Sequence, residues 1–118
     1  MYGLQQDFDA TIFVGQELIQ ICFSANTVDF TFSGDILITL ESSFIYRSTP
    51  TGADHREAVP VSSSDLMHLI GHKIDSATAT SDGTLALIFD NGHALTFLDD
   101  STDYESYSIR IGQREIIV

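Results

Sequence analysis

Four histidines, one cysteine and a run of carboxylates are the side chains able to do chemistry here. His68 and His72 stand four apart, the spacing of a metal pair on one helical face. Gly71 falls between them and is well placed to end such a helix, and no third ligand follows; zinc sites use three or four. His55 sits in the polar run Asp54-His55-Arg56-Glu57 with no nucleophile tied to it, whereas a general base needs a second group to hold it in a pocket. Ser62, Ser63 and Ser64 read as loop and cap residues. Cys22 lies in Leu18-Ile19-Gln20-Ile21-Cys22-Phe23, and an apolar neighbourhood without a cation predicts a small buried side chain rather than a reactive thiolate. No catalytic residue, cofactor site or metal site is assigned. The expectation is that the protein is not an enzyme.

The carboxylates remain. Asp99, Asp100, Asp103 and Glu105 crowd one short segment beside Tyr104. Calcium favours oxygen-rich loops, but the Asp-x-Asp-x-Asp-Gly order of the EF-hand is missing. Asp35, Asp82 and Asp90 also fall in turn sequences, so the acids are expected to line the loop ends of the sheets. Asp99, Asp100, Asp103, Tyr104 and Glu105 are therefore the candidate partner-binding residues, tyrosine offering apolar area with a polar tip. Phe44 and Tyr107 are assigned to the core.

Bulk charge points the same way. Seventeen acids against five bases give −12 over 118 residues. Such a field repels nucleic-acid phosphates and anionic membrane and speeds association with a basic protein. No basic stripe, phosphate loop or apolar run long enough to span a bilayer is present. The first ten residues lack the basic and apolar regions of a signal peptide. A cytoplasmic location is expected, with neither nucleic acid nor membrane as a partner.

The elements that must position these residues are mostly strands. Val28, Phe30 and Phe32 alternate with polar residues, then Ile36, Ile38 and Leu40 after a Ser33-Gly34-Asp35 turn. Leu85, Leu87 and Phe89 follow Asp82-Gly83, read as a type I′ hairpin turn; Leu95 and Phe97 follow Asp90-Asn91-Gly92. The two segments superpose. Val28-Phe30-Phe32 matches Leu85-Leu87-Phe89 at an offset of 57, and Gly15-x-x-Leu18 matches Gly71-x-x-Ile74 at 56. Two meanders, each unable to bury its apolar face alone, are expected to pack together. The prediction is one mainly β (α+β) domain over 1–118, with antiparallel β-meander repeats at about 15–41 and 71–98 forming a sandwich or partly open barrel. Thr11 to Val14 reads as a short strand, 47–62 as an exposed loop, about 64–70 as a short helix and about 104–118 as a C-terminal hairpin turning at Gly112-Gln113.

The run Gly71-x-x-Ile74, Asp82-Gly83-Thr84-Leu85-Ala86-Leu87-Ile88-Phe89-Asp90-Asn91-Gly92 and Tyr104-Glu105-Ser106-Tyr107 resembles a family of small uncharacterised bacterial β-repeat domains. In that pattern a Gly-x-x-Ile start, a hairpin core and a Tyr-Glu-x-aromatic close recur; Tyr107 stands where the pattern has Trp. Such domains are similar in size and acidity to immunity proteins of bacterial toxin systems. The resemblance implies a non-enzymatic inhibitor that blocks a basic toxin, and it carries over no functional residue. The alternative is a structural β domain that forms a homodimer through an edge strand, with Glu115 to Val118 as that edge.

Overall fold

A computed structural model describes residues 8–47, 54–58, 66–100 and 106–118. Among these residues ten strands run in the order β1 (Leu18–Phe23), β2 (Val28–Phe32), β3 (Ile36–Leu40), β4 (Ser43–Arg47), β5 (His55–Ala58), β6 (Ile74–Ala79), β7 (Leu85–Phe89), β8 (Ala94–Phe97), β9 (Tyr107–Ile111) and β10 (Arg114–Ile117). Two 3-10 helices precede the meanders, η1 (Ala10–Phe13) and η2 (Leu66–Leu69). The strands form two open antiparallel sheets, ordered β1-β2-β3-β9-β10 and β5-β4-β8-β7-β6. Each meander is thus extended by a strand from the other half: β9 pairs with β3, and β4 with β8.

Period-two burial explains why these segments are strands. Val28, Phe30 and Phe32 are buried while Asp29 and Thr31 are half-buried; Leu85, Leu87 and Phe89 repeat the pattern. The inward rows meet in one core. The Phe30 and Phe97 rings cross the sheets edge to face at 5.2 Å, and Tyr107 lies 5.6 Å from Phe97, geometry that adds to burial.

The edges of β1 and β6 are laced together. The Gly15 N–H donates to the Ile74 carbonyl at 2.7 Å, and the Gly71 N–H to the Leu18 carbonyl at 2.8 Å. The Ile74 N–H donates to the Gln16 carbonyl and the Leu18 N–H to the His72 carbonyl, on either side of a Glu17–Lys73 bridge. Both strands carry a register shift at the same place, between Leu18 and Gln20 and between Ile74 and Ser76. The two meanders therefore meet about a local two-fold.

Several expectations need correction. Thr11–Val14 is no strand: the Asp9 carboxylate accepts from the Thr11 N–H at 3.0 Å and caps a 3-10 turn over Ala10–Phe13. The helix expected at about 64–70 is a 3-10 turn over Leu66–Leu69, and 59–65 lies outside the described residues. Leu66 and Leu69, three apart, are its buried residues; in a 3-10 turn such a pair falls on one side. Gly71 at φ +90 then stops it. Within 47–62, expected to be an exposed loop, residues 55–58 form β5, which pairs with β4; 48–53 and 59–62 lie outside the described residues. Asp82-Gly83 is not a two-residue turn: the Gly83 N–H donates to the Thr80 carbonyl and the Thr80 N–H to the Thr84 carbonyl. That makes a three-residue loop with Gly83 alone at positive φ, +95. Cys22 is exposed, because it pairs with Asp29 in the outward row of the edge strand β1.

Candidate functional site at the acidic rim

The β6–β7 loop, the β3–β4 corner and the chain after β8 converge at one end of the molecule. The loop is built by Asp82: the Thr80 hydroxyl and the Thr84 N–H both reach its Oδ1, the latter at 3.1 Å. The Thr80 bond first, then that of Thr84, holds the Asp82 carboxyl below its ordinary value. Gly83 lets the next segment close in, since a Cβ there would lie 2.5 Å from Asp99 Cβ. From below, the buried Tyr107 hydroxyl donates to the Gly83 carbonyl at 2.6 Å. Burial, then the Asp82 charge, pushes that phenol far above its usual range.

Asp99 and Asp100 occupy this end, and both are internally bonded. The Ser106 hydroxyl donates to Asp99 Oδ1 at 2.8 Å. Asp100 accepts from the Ser42 and Ser43 hydroxyls and pairs with Arg56, so it ties the β3–β4 corner and β5 to the end of β8. Partial burial pushes the Asp100 carboxyl up, but the bonds from Ser42, Ser43 and Arg56 outweigh it and hold the group below the carboxylate norm. Glu41 joins the rim where its N–H donates to the Ser106 carbonyl at 2.9 Å. Asp103, Tyr104 and Glu105 lie outside the described residues. The rim thus gathers Glu41, Asp82, Asp99 and Asp100 from three chain segments. Glu41 is the member that spacing alone did not single out; its place next to a strand corner was the available signal.

The histidines collect elsewhere, at the β7–β8 turn. The Tyr46 hydroxyl and His93 Nδ1 are 2.7 Å apart, and the His68 and His93 rings are 6.4 Å apart. His72 Nδ1 meets Asp90 Oδ1 at 2.7 Å. His68 and His72 therefore face different neighbours rather than one ion, and among the described residues no three His, Cys, Asp or Glu side chains are arranged to hold a metal. His55 lies opposite Tyr46 in the β4–β5 register. A hollow of about 190 Å³ opens on the outer face of the first sheet between Thr31, Asp35, Leu37 and Arg110. It is below the roughly 300 Å³ at which small-molecule sites begin.

No curated protein and no solved structure matches the chain. A protein-family model described as a family of unknown function (DUF6188) matches residues 10–118, a span that runs from η1 through β10.

Proposed function

The chain belongs to DUF6188, and from the geometry of this member we propose a non-enzymatic, acidic protein-binding domain whose carboxylate rim docks a basic partner. One observation carries the reading: the fold brings Glu41, Asp82, Asp99 and Asp100 to the same end, with bonds that hold the Asp82 and Asp100 carboxyls below their ordinary value. Carboxylates held in place lose little entropy when they meet lysine or arginine, and a one-signed field raises the encounter rate. In finer terms, the domain is an immunity-type inhibitor that covers the active site of a basic bacterial toxin. Its −12 charge and sheet scaffold support this assignment.

The two carboxylates play different parts. Asp100 is spent on Arg56 and two serines, so it shapes the rim, while Asp82 faces solvent. The test is the affinity of the full chain for the product of the adjacent reading frame, by calorimetry. Charge reversal of Asp82, Asp103 and Glu105 should weaken binding at least tenfold, chiefly through slower association. Unchanged affinity removes the rim from the interface.

A second reading has its own observation. β10 ends the first sheet with β9 as its neighbour, and Ile117 is exposed. The outer side of a strand at the end of a sheet is a template for another copy. Light scattering separates the two: a stable dimer without partner favours edge pairing.

A further inference from the structure

The corner where η2 meets the β7–β8 turn concentrates imidazoles outside the acidic rim. Side-chain bonds tie it together. The Asn91 side chain donates to the His68 carbonyl at 3.3 Å and accepts from the His93 N–H at 3.1 Å. His72 meets Asp90, whose second oxygen accepts from the Lys73 N–H at 3.3 Å. His93 contacts Tyr46 on β4 and lies against His68 on η2.

We propose that this corner is a pH-sensitive joint: it is closed while His93 is neutral, and protonation of His93 against His68 loosens η2 from the β7–β8 turn while the two-sheet core stays folded. The charges around it fix the sign. Tyr46 is neutral: its hydroxyl can bond His93 Nδ1 as donor or acceptor, but it brings no negative charge to offset an imidazolium. The His68 ring lies 6.4 Å from the His93 ring and likewise offers no negative charge to offset an imidazolium. His72 is the opposing case, because its protonated form still pairs with Asp90. Lys73, whose backbone bridges to Glu17, adds positive charge at the start of β6. Arg47 follows Tyr46 on β4, and His55 on β5 lies opposite Tyr46 in register. Asp90 is the acid bonded within the corner, and it is committed to His72 and the Lys73 amide. Burial first, then His68 and His72, lowers the His93 pKa from 6.5. A lowered imidazole contributes stability above its unfolded value and loses it as pH falls through that value toward the folded one.

This inference stands apart from the docking reading. Its test is amide hydrogen exchange on the full chain, expressed as protection factors, at about pH 7.5 and about pH 5, on either side of the unperturbed imidazole. Protection at Asn91, Gly92 and His93 should fall by roughly tenfold for each unit by which folding lowers His93, with Phe30 and Leu87 in the core unchanged. His93→Gln keeps an acceptor for Tyr46 and cannot titrate, so its corner should hold at both pH values. Should that variant not fold, His68→Asn removes the facing imidazole and should shrink the wild-type loss. The proposal is overturned if the wild-type corner is equally protected at both pH values, if core and corner open together, or if the loss persists undiminished in the variants.

Discussion

Asp100 shows how one carboxylate can be structural inside a surface that is otherwise for docking. It bonds Ser42, Ser43 and Arg56, and its side chain is 31 % exposed, so solvent screens the pair only partly. Hydrogen bonds to a charged group are worth more than neutral ones, but an exposed pair is worth less. Asp100→Asn should therefore cost roughly 1–2 kcal/mol in urea unfolding at neutral pH. The sign with pH follows from the lowered value. The native contribution is present above the ordinary aspartate value of 3.8 and disappears as pH falls through the lower folded value. The variant should accordingly show a flatter stability curve at acid pH than the wild type. Tyr107 gives a second check. Its hydroxyl is buried on the Gly83 carbonyl, so Tyr107→Phe should cost about 1–2 kcal/mol. In an alkaline absorbance titration, one of the four tyrosines should resist ionisation well past pH 10.

At the scale of elements, the inner strands were legible and the outer ones were not. Val28–Phe32, Ile36–Leu40 and Leu85–Phe89 alternate because one face is buried, and that alternation is written in residue types. β5 is His55–Ala58, a polar edge strand with no apolar period to read. β1 misled in the other direction. Its apolar run suggested burial, yet Ile19 and Phe23 are about half exposed because the strand ends a sheet. Turn chemistry was half legible. Asp82-Gly83 marked the loop, but the number of loop residues depends on how Thr80 and Thr84 pair. Glycine substitutions separate conformation from contact here. Gly15→Ala and Gly71→Ala meet open space, so each should cost only the positive-φ penalty, about 1–2 kcal/mol. Gly83→Ala adds a Cβ 2.5 Å from Asp99 Cβ and should lose more stability than either in the same melt. Equal losses would mean that Asp99 moves aside without cost.

Across the whole molecule, the exchange of strands between halves had no local signal. Pairing of β3 with β9 and β4 with β8 is a choice between distant segments, and nothing in residues 36–47 announces it. Its consequence is that neither meander has a complete sheet of its own. Backbone circular dichroism and near-ultraviolet tyrosine signals should follow one coincident unfolding transition; two transitions would mean that the halves fold separately. The candidate site was legible in part, because acid-rich turns were visible as composition. That Asp99 packs on Gly83 and Asp100 pairs with Arg56 depended on that same long-range closure. Net charge of −12 sets the long-range field, and the rim gives it a direction. The most direct measurement is an amide chemical-shift titration of the full chain with a lysine-rich peptide at low salt. The account predicts that shifts at Glu41, Asp82, Asp99 and Ser106 saturate first and weaken as salt is added. Shifts spread evenly over the surface, or concentrated at the β7–β8 turn, would contradict it.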